Sequence, residues 1–300
     1  MPEFLAKRMK LLGLALAIAS LAFFVSELYS RVGIEALASA IAGYGFYLLA
    51  ALGLYLIAFV PMVMSWNLLL GGTGGTLDAA ASSRIFLVSQ FAKYLPGNVG
   101  HLIGRIVLAR NAGVPVRSAS AAMLLETVCV LLAASLLVLV AIVSGMLSFE
   151  AAPWLLAGSL GIAGVGSAIA FALLARSEDR PKVRLGTIGA AIVLLCLVFL
   201  LISAAQIVLL KGDAPFDWSQ AGLLASAVIV SWLAGFLAPG APAGLGVREV
   251  GLVAFLYGTI PQEEVLIAAT AMRIVTLIGD LVTWLIGLAI QPETEAMPAA

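Results

Sequence analysis

Apolar residues run along this chain in long unbroken blocks, not in alternation. Six blocks, at roughly 11–29, 44–67, 118–147, 153–175, 185–210 and 262–290, are long enough to be helices crossing a bilayer. At about 1.5 Å per residue each exceeds or approaches the ~30 Å hydrocarbon core. Continuous runs of this kind exclude a transmembrane barrel, which needs strands that alternate. Two further stretches have the same apolar flanks but break in the middle: 78–112 at LPGNVG and 218–260 at LAPGAPAGLG. Residues 30–42, with Arg31 and Glu35, predict a short interfacial helix on the outer side.

Composition fixes the solvent. Hydrophobic residues make up 63% of the 300 positions and charged residues 11%, against roughly 25% charged in soluble domains. Formal net charge is zero, so there is no bulk basic field for nucleic acid. Cys129 and Cys196 both fall inside apolar blocks and read as small core residues, not as a disulfide or a metal pair. Lys7, Arg8 and Lys10 precede the first block, but no A-x-A cleavage site follows, so the block reads as the first membrane helix and not as a signal peptide.

Loop charge then orients the chain. The loop RSEDRPKVR (176–184), the N-terminal flank, and Arg110 with Arg117 are basic and belong in the cytoplasm, whereas 148–152 and 211–217 are poor in Arg and Lys and belong outside. In the one topology that satisfies all of these, both termini are cytoplasmic. The segment 78–112 enters from the cytoplasm and returns to it, and 218–260 does the same from outside. The return arm 101–112 would be about 18 Å of helix, too short to span. The expected fold is an all-α polytopic membrane protein with about six full spans plus two opposed re-entrant helical hairpins.

The two broken segments share a spacing. Pro96-Gly97 and Pro239-Gly240 lie 143 residues apart, and Arg105 and Arg248 fall at the same offset, so both segments read P-G-x7-R. The same shift carries the start of each element in the first half to within a few residues of one in the second. Three spans per half is an odd number, which inverts one half relative to the other, as in many secondary transporters with a midplane substrate site. The expected organisation is one transmembrane domain over 1–300, with inverted halves at roughly 1–147 and 148–290 and a short disordered tail at 291–300.

Irregular backbone in hydrocarbon survives only when buried in protein or lining a wet cavity. Pro96, Gly97, Gly100 and Gly104 form the first expected hairpin tip, with the glycines admitting close approach of backbone or ligand; Pro239, Gly240, Gly244 and Gly246 form the second. A helix start near Asn98 to His101 offers free N–H groups and the positive end of a dipole to an anion. His101 and Arg105, four apart, share a helix face, and arginine is the natural fork for phosphate. Charges inside membrane helices are costly, which singles out Arg84, Lys93, Arg105, Glu126, Arg248, Glu249, Arg273 and Asp280. Glu126, deep in an apolar span, needs a partner, and Arg105 is a candidate. Arg273 and Asp280, seven apart, share a face and form a polar seam. The candidate substrate-binding set is therefore Lys93, Asn98, His101, Arg105, Glu126, Arg248, Glu249, Arg273 and Asp280, in a cationic cavity for a lipid phosphate. The competing reading is that these charges pair to lock helices together. The lone histidine has no ligand cluster for a metal, GGTGGT (71–76) lacks the Lys-Ser/Thr ending of a phosphate loop, and neither a cofactor nor catalytic residues are expected.

KYLPGNVGHLIGR (93–105), the intramembrane LLET around Glu126, and PGAPAGLGVRE (239–249) resemble the lysylphosphatidylglycerol synthase transmembrane-region family, over about residues 10 to 290. The second motif is the most specific, although Ala241 and Pro242 stand where family members often carry more glycine. The resemblance implies a stand-alone flippase-like protein of the inner membrane. The expected cargo is an anionic lipid, either a phospholipid or a polyprenyl-phosphate-linked sugar. The aminoacyl transferase domain of the full-length synthases is not expected here, so the chain is not expected to be an enzyme. A non-transporting subunit that presents lipid to a separate lipid-modifying transferase or glycosyltransferase is the alternative.

Overall fold

The computed structural model describes residues 29, 34–94, 100–147, 157, 161, 164, 183–212, 220–238 and 241–291. Apart from single positions, the spans expected at 11–29 and 153–175 and the tail 291–300 lie outside the described residues. So do Pro96, Gly97, Asn98, Pro239 and Gly240. Every regular element among the described residues is helical.

Four helices are long and apolar enough to cross a membrane: α2 (Gly45–Gly72), α5 (Val116–Val143), α6 (Leu185–Lys211) and α9 (Gln262–Ala289). They correspond to four of the six expected spans. At 27 or 28 residues each, they are about 40 Å long. A short helix, α1 (Ile34–Gly43), precedes α2 and matches the helix expected at 30–42.

Their side chains are distributed for lipid. On α2 the exposed positions Ile57, Val60, Met64 and Leu68 recur at helical spacing as one apolar stripe, and α9 shows the same with Leu277, Ile278, Leu281 and Leu285. The buried face of α5 is instead made largely of small residues, with Ala119, Ala122, Ala133 and Ala134 almost fully buried. Small residues let helix backbones approach closely where lipid leaves no hydrophobic drive for association. The protein is a helical membrane protein.

The broken segments form two pairs of short helices. In the first, α3 (Ala79–Gln90) starts at Asp78, whose carboxylate accepts a hydrogen bond from Ala81 N at 2.7 Å, a capping contact that fixes the helix start. It runs into a 3₁₀ turn at Phe91–Tyr94, and α4 (Gly100–Asn111) packs back against it. Each has 12 residues, about 18 Å, well short of the ~30 Å core. The second pair is α7 (Ala221–Leu237) and α8 (Val247–Phe255), separated by a 3₁₀ turn at Pro242–Gly244 and again packed together. The two 3₁₀ turns touch each other. Around them α2 and α6 lie along one another in the most extensive helix pairing of the fold, while α9 packs against α2, α3, α6 and α8.

Candidate functional site

Between these helices lies a cavity in which about 160 Å³ is open to the centres of water-sized molecules. Its wall carries Lys93, His101, Arg105, Glu126, Arg248, Glu249 and Arg273, all named from the sequence, together with Tyr55, Gln90, Gln206, Ser231 and Trp232. The remainder is mostly apolar, including Phe59, Met62, Met123 and Phe236. A cavity walled by both broken pairs is where irregular membrane backbone is tolerated.

The first break is held by Asp280, which is 1% exposed. Its carboxylate accepts from Tyr55 Oη at 2.8 Å, from Tyr94 Oη at 2.5 Å, and pairs with Lys93 Nζ at 2.7 Å. Lys93 and Tyr94 belong to the 3₁₀ turn, Tyr55 to α2 and Asp280 to α9, so one carboxylate ties three elements together. Asp280 itself does not line the cavity; it neutralises the Lys93 that does. The close fit depends on Gly279, where a Cβ would fall on the Tyr55 ring. Gly279→Val should push that ring off Asp280 and cost about 1–3 kcal/mol, the usual penalty for overpacking a filled site. A shift of the unfolding midpoint in detergent measures it, and an unchanged midpoint would show that Tyr55 is not held there.

The second break is held by Arg273. Its Nε donates to Glu249 Oε1 at 2.5 Å, and its two terminal nitrogens lie 3.4 Å from Ala243 O and 3.3 Å from Gly244 O. Those carbonyls belong to the turn, where Ala243, Gly244 and Gly246 all have positive φ (51°, 70° and 79°). Glycine adopts that backbone without strain at 244 and 246, and Ala243 shows how sharply the chain must turn. A guanidinium can satisfy three acceptors at once because its donors form a planar fork. Arg273 and Asp280 do share the inward face of α9, as their spacing predicts, but each serves a different break.

Arg105 is 2% exposed and its Nη1 lies 2.5 Å from Glu126 Oε2. This is the partnership expected for Glu126. The Arg105 guanidinium also lies over Phe86 at 4.0 Å and over Trp66 at 4.9 Å, and Nε donates to Ser89 Oγ at 3.3 Å. Arg105 thereby ties α2, α3, α4 and α5 together.

Arg248 stands in a different situation. Its side chain runs through a slot between Gly235 and Gly244, where added Cβ atoms would collide with it. The guanidinium lies 5.1 Å from the Trp232 ring centre, and Trp232 stacks on Phe236 at 5.0 Å. No carboxylate pairs with it among the described residues, and its Nε is buried without a hydrogen-bond partner. Three further lining residues have buried atoms unpartnered among the described residues: His101 Nδ1, Gln206 Nε2 and Glu249 Oε2.

The structure thus gathers seven of the nine candidate residues around one cavity, sets Asp280 behind it, and leaves Asn98 outside the described residues. At Gly104 no described protein atom lies within 4 Å of where a Cβ would be, so no protein backbone makes the close approach there. Arg84 does not line the cavity; it lines a separate, mostly apolar recess with Asn111 and Leu288. Sequence reasoning missed Tyr55, Tyr94, Gln206 and Trp232, because it searched for charge. The one usable signal was polarity within a span, as at Gln206 in α6.

No curated protein and no solved structure matches the chain significantly. The family model described as lysylphosphatidylglycerol synthase TM region matches residues 10–283. This interval contains both broken helix pairs and the whole cavity wall, and the chain belongs to that family.

Proposed function

We propose that this protein is a flippase-like carrier that moves an anionic lipid, a phospholipid or a polyprenyl-phosphate-linked sugar, across the inner membrane. The observation that carries this reading is Arg248: a guanidinium with no carboxylate partner among the described residues, in a cavity walled by two broken helix pairs. A cation in a membrane interior is costly and marks a binding or transport path. Family membership supports the same direction. The lipid phosphate would meet Arg248 while the chains stay in the bilayer.

In this reading the α3–α4 and α7–α8 pairs are re-entrant hairpins of opposite orientation, and both chain termini are cytoplasmic. Three observations support an inverted repeat: the shared P-G-x7-R spacing, the contact between the two 3₁₀ turns, and the long pairing of α2 with α6, whose positions correspond at the same offset. Alternating exposure of the two breaks would carry the headgroup across.

The test uses the full chain in liposomes and a labelled anionic lipid whose accessibility from the opposite leaflet is followed in time. Wild type is expected to accelerate the exchange. Arg248→Ala is expected to slow it about tenfold or more, the effect of losing a charge-assisted hydrogen bond. If wild-type liposomes exchange lipid no faster than empty ones, while the protein restores activity to a separate lipid-modifying transferase, the presenting-subunit reading replaces this one.

A further inference from the structure

The cavity wall contains four basic side chains, Lys93, Arg105, Arg248 and Arg273, and two acidic ones, Glu126 and Glu249. Three of the bases are already matched. Arg105 is paired with Glu126, Arg273 with Glu249, and Lys93 with Asp280 from behind the wall. Of the four bases in the wall, Arg248 is the one without a carboxylate partner among the described residues. The aromatic face of Trp232 stabilises it in part, but a ring does not neutralise the charge, and Arg248 Nε has no acceptor among the described residues. Ala269, which also lines the cavity, stands 143 residues after Glu126, where the shared spacing would put a second carboxylate.

A second observation limits the ligand from the other side. Glu249 is 5% exposed, and its Oε2 has no hydrogen-bond partner among the described residues. An ionised carboxylate only accepts hydrogen bonds, so it welcomes a hydroxyl and repels a second anionic group. Lining donors that are buried and unpartnered among the described residues, and so open to a phosphate, are Arg248 Nε, the amide of Gln206, and His101 in its Nδ1–H tautomer. The open space, on the order of ten water positions, suits a small headgroup.

We infer that the cavity selects a ligand with a single negative charge, a phosphodiester lipid headgroup, and discriminates against diphosphate-linked lipids. With Asp280 counted behind the wall the surplus charge is one, and a second phosphate would lie in a low-dielectric site beside a carboxylate oxygen unpartnered among the described residues. This rests on the lipid-carrier reading only for the identity of the ligand's tail.

The experiment is a titration of the purified full-length protein in detergent, followed by calorimetry, with four probes. They are dioctanoyl phosphatidylglycerol as the phosphodiester, farnesyl diphosphate as the diphosphate, dioctanoylglycerol as the uncharged control, and inorganic phosphate as the tail-free anion. Wild type is expected to bind the phosphodiester about tenfold or more tighter than each of the others, the scale of one charge-assisted contact. Arg248→Gln is expected to bind the phosphodiester and the uncharged lipid alike. Glu126→Gln frees the charge of Arg105, raises the surplus to two, and is expected to shift the preference toward the diphosphate.

Diphosphate binding by wild type that equals or exceeds phosphodiester binding overturns the inference, as does a phosphodiester preference that survives in Arg248→Gln. Equal binding of inorganic phosphate would assign the site to free phosphate and overturn the lipid headgroup. If one variant fails to fold, the other and the wild-type ranking still decide. Selective binding without lipid exchange would remove the carrier reading and leave this one standing. Lipid exchange without charge selectivity would do the reverse.

Discussion

Asp280→Ala is expected to destabilise the protein by up to about 3–5 kcal/mol, because it leaves the Lys93 ammonium, whose side chain is 18% exposed, without its counter-charge. The same change strips Tyr55 and Tyr94 of their acceptor, and the orphaned hydroxyl of buried Tyr55 adds about 1–3 kcal/mol. Asp280→Asn should fall between alanine and wild type: its amide oxygen still accepts, but it cannot neutralise Lys93. Adding Lys93→Met to Asp280→Asn should recover part of the loss, since a neutral pair of similar volume often costs little. Denaturant titration in mixed micelles reads all three. An Asp280→Ala protein that unfolds at the wild-type midpoint would show that the carboxylate does not hold the first break. Because the affected turn also touches the second one, lipid exchange should fall with stability.

Arg273→Leu is expected to cost a similar ~3–5 kcal/mol, but its pattern of rescue should differ. Leucine abandons the charge of Glu249 and also removes the donor facing Ala243 O and Gly244 O. Removing the charge with Glu249→Leu therefore restores only part of the loss, because backbone carbonyls cannot be mutated away and orphaned backbone in a membrane interior costs several kcal/mol. Arg273→Lys should recover little, since an ammonium lacks the planar fork that reaches three acceptors. The same unfolding titration decides it. Full rescue by the Glu249→Leu double variant would mean that the carbonyl contacts carry no weight.

Much of the site was legible along the chain, and the way it was misweighted is informative. Arg105 and Arg248 occupy the same place in a shared motif and read as equivalent phosphate ligands. Folded, they diverge. Arg105 has Glu126 as its partner and lies over two aromatic rings, whereas Arg248 lies by one ring and has no carboxylate partner among the described residues. The expectation that Glu126 needed a partner, and that Arg105 was near enough in sequence to supply it, held because α4 leads directly into α5. Nothing in the sequence pointed to Asp280 as the partner of Lys93, 187 positions away. Tyr55 and Tyr94 carried no charge to draw attention, yet both are bound to that carboxylate.

The sequence by itself determined the solvent, the helical class and the positions where the helices break. It also named every charged side chain that lines the cavity. These are local properties: hydropathy summed over a run of ~20 residues reports the bilayer, and proline and glycine act on the backbone where they stand. Only the tertiary structure decided which charges cancel. An ion pair exists or not according to a few ångströms between side chains on different helices, and helix packing sets those distances. From that arithmetic of contacts comes the feature on which the proposed function rests, a cavity arginine with no carboxylate partner among the described residues, beside the junction of the two breaks.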